Sequence, residues 1–120
     1  MTQQLIVNVR HQDSFVIIEV IGEVDIETAP QLREVVTTVT DEGADRLVFD
    51  LTQVTFVDSV GLSVFVLARK KMLLRQGSVG IVAPTRRVIA IFKIAGLEEI
   101  FRVRPTLASV LADEDPAEPA

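Results

Sequence analysis

The chain has 120 residues and a formal net charge of −5, with no Cys, a single His and neither Trp nor Tyr. That length suits one domain, able to bury about two-thirds of its unfolded surface without covalent staples. The composition excludes disulfides, thiolate chemistry and Cys- or His-rich metal sites, and an acidic surface poor in rings argues against nucleic-acid binding.

Met1-Thr2-Gln3-Gln4 has no basic region and no signal-type apolar block behind it, and no apolar run reaches the roughly 18 residues of a membrane span. A cytoplasmic protein with no membrane insertion is expected. Residues 5–9 and 15–21 read as strands rich in β-branched side chains, joined by the polar link His11-Gln12-Asp13-Ser14 as a hairpin. Gly22-Glu23-Val24-Asp25 leads into a helix. Thr28 with Gln31 three positions on has the pattern of a capping box, Pro30 fits a first turn, and Ala29, Leu32, Val35, Val36 and Val39 recur at helical spacing until Asp41-Glu42-Gly43.

Residues 46–51 form a third predicted strand, followed by a turn. A second helix runs from about Ser59 to Arg75, with Gly77 as a left-handed terminator. Arg69, Lys70, Lys71 and Arg75 make the most basic cluster of the chain, and its position near that helix end reads as complementing the dipole. Residues 78–82 are a fourth strand. Pro84 and Thr85 introduce a third helix carrying Val88, Ile89, Ile91, Phe92 and Ile94, which Gly96 stops. Residues 100–103 make a short last strand, and Thr106 opens a final helix through Leu111. Residues 1–112 are read as one domain, and the acidic, Pro-containing residues 113–120 as a disordered tail. Strands alternating with helices give an α/β class with a mixed, mostly parallel sheet of about five strands and about four helices.

The second helix has two apolar faces. At 100° per residue, Leu62, Phe65, Val66, Arg69 and Leu73 share one stripe, while Val60, Val64, Leu67 and Lys71 share roughly the opposite one. An ordinary surface helix buries a single stripe. Either the domain covers the start of this helix on both sides, or an apolar patch around Ser59 is left for a partner.

The chemistry concentrates in Phe56-Val57-Asp58-Ser59-Val60-Gly61-Leu62, where a hydroxyl preceded by a carboxylate stands at a helix start. Unpaired N–H groups and the positive dipole end favour an anion there, and phosphorylating a Ser adds roughly −1.5 to −2 charges and three strong acceptors. The plain alternative makes Ser59 an N-cap, a role equally open to Asp58, although Leu62 leaves the box incomplete. A hydrolase elbow, G-x-S-x-G, fails at Val57, and His11 is the sole candidate base of the usual type. Asp25, Asp50 and Asp58 follow or end apolar runs, as in a phosphoaspartate receiver, but such residues also form turns, and Arg102 and Arg104 stand where a receiver wants Lys. No Gly-rich phosphate loop is present. No cofactor, metal or catalytic residue is expected.

Val54-Thr55-Phe56-Val57-Asp58-Ser59-Val60-Gly61-Leu62 resembles the signature of STAS domains, specifically the anti-sigma factor antagonists. Gly22-Glu23-Val24-Asp25, Leu47-Val48-Phe49-Asp50-Leu51, residues 77–82 and Phe92-Lys93-Ile94-Ala95-Gly96-Leu97 fit further landmarks, in order, over about residues 5 to 111. The resemblance implies helices packed mainly on one face of the sheet, and a switch protein in place of a catalyst. It implies that the unphosphorylated form binds an anti-sigma factor serine kinase and frees a sigma factor, and that a serine phosphatase reverses the kinase. Carried over, Ser59 is the phosphoacceptor, and Asp25, Asp58, Val60, Gly61, Leu62 and Ser63 belong to the partner-binding surface. Family motifs often read Asp-Ser-Ser-Gly-Leu-Gly. Val60 replaces the second Ser and removes an ambiguity about the acceptor; Ser63 replaces the last Gly and adds bulk near the docking surface. A STAS subunit regulating a transporter or a stress-signalling assembly without phosphotransfer is the alternative.

Overall fold

Apolar runs rich in β-branched residues build the strands, and helices on the two faces bury them. The computed structural model describes residues 4–83, 85–97 and 100–112. In it β1 (Ile6–Gln12) and β2 (Phe15–Val24) form a hairpin, followed by α1 (Ala29–Asp41), β3 (Arg46–Val57), α2 (Ser59–Leu74), β4 (Ser78–Val82), α3 (Arg86–Ile94), β5 (Arg102–Arg104) and α4 (Leu107–Ala112). The sheet order is β1-β2-β3-β4-β5. The hairpin pair is antiparallel and the other pairs are parallel. This is the mixed, mostly parallel sheet that the sequence predicts. Among the described residues no helix is long and apolar enough to cross a membrane.

The two faces of the sheet are covered unequally. Val16, Ile18 and Val20 of β2, Leu47 and Phe49 of β3 and Ile81 of β4 join Leu32 and Val36 of α1, Val64, Phe65, Ala68 and Met72 of α2, and Val88 and Phe92 of α3 in the main core. On the opposite face Phe15, Ile17, Val48 and Val82 pack against Val110 of α4. Because β2 is buried on both sides, Phe15-Val16-Ile17-Ile18 is a continuous apolar run. Four rings knit the main core: Phe49 meets Phe65 edge-on at 4.9 Å between centroids, Phe65 meets Phe92 at 5.7 Å, and Phe92 meets Phe101 at 5.8 Å.

Several local expectations are corrected. His11 and Gln12 lie within β1, which leaves Asp13 (φ 56°) and Ser14 as the turn. No turn follows residue 51: β3 continues to Val57, still paired with β2. Register shifts beside Glu19 and Gly22 absorb extra residues of β3, so its buried positions become Leu51, Val54 and Val57 with two exposed residues between each. That spacing breaks the alternation by which a strand is recognised. After α2 the left-handed residue is Gln76 (φ 61°), and Gly77 is needed for space, since a Cβ there would stand 2.6 Å from the Asp45 carbonyl oxygen. Ile100 and Phe101 form a turn on the Leu97 carbonyl, so β5 begins at Arg102. The stripe that α2 buries is Gly61, Val64, Phe65, Ala68 and Met72, which runs between the two apolar stripes of the helical wheel, with Val60, Leu62, Val66 and Leu67 half-buried on its flanks. The expectations for Pro84 and for residues 113–120 lie outside the described residues.

Phe65 is fully buried between two other rings. Phe65→Ala should therefore cost about 3–5 kcal/mol of unfolding free energy. Urea denaturation measures this, and a loss below about 1 kcal/mol would contradict a central packing role.

Candidate functional site

Parallel pairing brings the ends of β2 and β3 together, with Val24 opposite Val57. The next residues, Asp25 and Asp58, therefore begin a loop and a helix side by side at one edge of the sheet. Asp25 organises the loop. Its Oδ1 accepts the N–H of Glu27 at 2.9 Å and of Thr28 at 3.1 Å. The Thr28 hydroxyl accepts the Asp25 N–H at 2.9 Å and donates to the Glu23 carbonyl at 2.7 Å. With its oxygen used in this way, Thr28 makes no side-chain cap for α1. Gln31 donates to the Leu5 carbonyl at 2.9 Å, so the expected capping box is not formed and the pair instead ties α1 to the hairpin.

Asp58 is the N-cap of α2, with an extended backbone and Oδ1 accepting the Gly61 N–H at 2.8 Å. The plain reading of Ser59 as the cap is thereby corrected. The other carboxylate oxygen, Oδ2, accepts the Ile26 N–H at 3.1 Å, and the Asp58 N–H donates to the Val24 carbonyl at 3.1 Å. One residue thus binds the start of the helix to the loop after β2. Ser59 is the first helical residue and is exposed. Its N–H and that of Val60 belong to the first turn and have no intrahelical acceptor.

Gly61 is buried where α2 crosses the end of β2. A Cβ on it would lie 2.4 Å from the Val24 carbonyl oxygen, closer than any side chain allows. Val60 and Leu62 are half-buried at the edge of the main core. Ser63 is exposed and returns its hydroxyl to the Val60 carbonyl within the helix. The structure therefore gathers Asp25, Asp58, Ser59, Val60, Gly61, Leu62 and Ser63 at a single edge, with Ser59 and Ser63 facing solvent and Gly61 facing inward.

Two neighbours escape the sequence reading. Ile26 is 66% exposed and Phe56 is 46% exposed. Ile26 is tied to Asp58, and Phe56 lies just before it on β3. Their signal was an Ile in an otherwise polar link, and a Phe out of step with the buried positions Val54 and Val57. The competing chemistries are not assembled. His11 is on β1 opposite Val16, at the end of β2 remote from Asp58. Asp50 pairs with Glu19 and Val82 in mid-strand and accepts the Thr52 N–H at 3.0 Å. Among the described residues no group of three or more His, Cys, Asp or Glu is placed to hold a metal ion.

The family model of the STAS domain matches residues 7–110, and the chain belongs to that family. The chain is similar to an anti-sigma-B factor antagonist of Bacillus subtilis (strain 168), 34% identical over 97 residues that span 81% of this chain and 88% of that protein. It is also similar to a crystal structure of an anti-sigma factor antagonist from Mycobacterium paratuberculosis, with a TM-score of 0.79, 30% identity and 91% and 92% of the two chains covered. The Bacillus cell fate determinant SpoIIAA in its phosphorylated form shares the fold, with a TM-score of 0.71, 18% identity and 92% and 100% covered.

Gly61→Ala should destabilise the domain by more than about 2 kcal/mol, because backbone must move to admit the methyl group. Asp58→Ala should cost about 1–2 kcal/mol through loss of the cap. Thermal and urea unfolding read both changes; a neutral Gly61→Ala variant would mean that α2 does not approach β2 as closely as described.

Proposed function

We propose that the protein is an anti-sigma factor antagonist: unphosphorylated, it binds an anti-sigma factor serine kinase and so releases a sigma factor, and phosphorylation of Ser59 switches it off. A serine phosphatase restores the binding form, and a cytoplasmic location belongs to the same reading. The observation that carries it is an exposed hydroxyl at a helix start, in a chain segment that also exposes the apolar residues Ile26 and Phe56. The names of the relatives support the class of activity.

The physical argument runs through desolvation. A partner docking over the start of α2 must cover Ser59. A phosphate dianion there has to lose water, and carboxylates close by repel it. At ~6 Å and an effective dielectric of ~20–40, one unwanted charge pair costs about 1.5–3 kcal/mol, a roughly 10- to 100-fold loss of affinity. The helix dipole favours the phosphate by only ~1 kcal/mol. The free domain tolerates the modification, and the interface rejects it. In this scheme Asp25 and Asp58 hold the loop and helix in register, Gly61 sets the helix position, and Val60, Leu62 and Ser63 line the docking surface.

Incubation with the cognate kinase and ATP should shift the wild type on a phosphate-affinity gel and leave Ser59→Ala unshifted while it still binds the kinase. Ser59→Asp should weaken binding. Stoichiometric phosphorylation of Ser59→Ala would overturn the assignment. Ile26→Asp should lower kinase affinity by at least about tenfold, equivalent to ~1.4 kcal/mol, with the unfolding midpoint nearly unchanged because the side chain is exposed. Equal affinity by titration calorimetry would remove Ile26 from the interface.

A further inference from the structure

The outer edge of β1 carries a surface separate from Ser59. Among the described residues β1 pairs on one side only, with β2, and stands at the end of the sheet. Beside it lies a groove of about 380 Å³, lined by Val9 of β1 and by Glu34, Val35, Thr38, Val39 and Glu42 of α1 and its cap. A second hollow, of about 300 Å³, shares Val39 and Glu42 with the first and continues past His11 to Asp45. We propose that this groove receives an extended segment of a partner protein, added as a strand to β1, in which Lys or Arg side chains flank an apolar centre.

Three features define that occupant. The first is the open edge. β1 runs for seven residues in unbroken register with β2, contains neither Pro nor Lys, and leaves Ile6 50% and Val9 43% exposed. Edge strands are commonly blunted by Lys, Pro or a bulge. This one keeps an unbulged row of backbone donors and acceptors, of the kind that takes up an added strand. Its one Arg, Arg10, alternates onto the face opposite Val9. The second feature is charge. Glu34 and Glu42 line the same groove as the apolar Val9, Val35 and Val39, and no Lys or Arg lines either hollow. Among the described residues no ion pair engages either carboxylate. The third feature is spacing. Glu34 and Glu42 are eight residues apart in the chain, about 12 Å along a helix. Side chains four residues apart on a strand share a face and are separated by about 13 Å. A segment reading Lys-x-Val-x-Lys therefore matches its two cations to the two carboxylates and its Val to the apolar floor, all from one face. A second copy of this chain fits poorly, because a twofold axis that pairs β1 with β1 turns the acidic flank of α1 toward its own counterpart.

None of these residues belongs to the Ser59 surface, so the two readings stand or fall separately. The probe is the synthetic peptide acetyl-Thr-Lys-Thr-Val-Thr-Lys-Thr-amide, titrated into the full chain and followed by two-dimensional amide NMR. The control, acetyl-Thr-Thr-Lys-Val-Lys-Thr-Thr-amide, has the same composition with both cations on the face opposite Val. The first peptide should give saturable shifts at residues 6–12 and 34–42. An exposed ion pair is worth a few-fold in affinity, so Glu34→Gln and Glu42→Gln should each weaken binding about threefold, and the control peptide, which loses both pairs, should bind about tenfold more weakly. Ser59→Ala should bind as the wild type does. Both Glu side chains are exposed, so their variants should keep nearly the wild-type unfolding midpoint. Equal affinity for the two peptides would overturn the proposal. So would shifts that avoid β1, affinity indifferent to both Glu variants, or sedimentation showing a dimer whose β1 amides are protected from exchange.

Discussion

The close approach of α2 to the end of β2 is the constraint on which the exposed site depends. It requires Gly61, whose missing side chain lets the helix rest against the Val24 carbonyl. With the helix start pinned at that distance, Asp58 spans the gap: one oxygen caps α2 and the other holds Ile26. Parallel pairing of β2 and β3 supplies the second half of the condition, because it ends both strands at the same edge. A longer side chain at position 61 would push the helix away and separate the two residues that Asp58 joins. The orientation of Ser59 and the exposure of Ile26 thus follow from a packing contact that neither residue makes.

This construction bears on the switch proposed at Ser59. Both oxygens of the Asp58 carboxylate are already engaged, and the Asp25 loop is closed by its own hydrogen bonds. A new charge at Ser59 meets a frame whose polar groups are already satisfied, with only the open N–H groups of the first helical turn to turn toward. The effect is felt by whatever covers the site, where water must be removed, far more than by the fold. A binding module regulated in this way needs no second conformation. It needs a surface whose desolvation cost is small before modification and large after it.

Much of this was legible in the sequence, and the failures share a cause. The α/β class, the opening hairpin with its parallel crossovers and the helix beginning at Ser59 were readable because apolar period and turn residues agree there, whereas the placing of Asp25 with Asp58 came from the family resemblance. The continuation of β3 to Val57 was not, because a bulged strand buries every third residue and imitates no simple period. Thr28 and Gln31 matched a capping box, yet tertiary acceptors, the Glu23 and Leu5 carbonyls, outcompeted the local pattern. Gly77 was read for backbone freedom when its function is clearance, a distinction that depends on a neighbour distant in sequence, Asp45. Ile26 and Phe56 lacked a signal strong enough to separate an exposed apolar side chain from a buried one.

The weak amphipathicity of α2 is explained by where it lies. A helix facing one sheet buries one stripe, but α2 is also flanked on the helix layer, where it meets α1 directly and reaches α3 through Phe65 and Phe92. Its flanks are therefore half-buried and apolar, and its polar residues are displaced toward its end, where Lys70 is exposed and Arg69 and Lys71 are half-buried. Between the hydroxyl at its start and the basic residues toward its end run Val64, Phe65, Ala68 and Met72, all fully buried in one close-packed seam. Close packing resists gradual deformation, and transmission along such a seam needs an element with two discrete arrangements. The start of α2, with Ser59, is thus presented from a helix whose inner side is close-packed along its length.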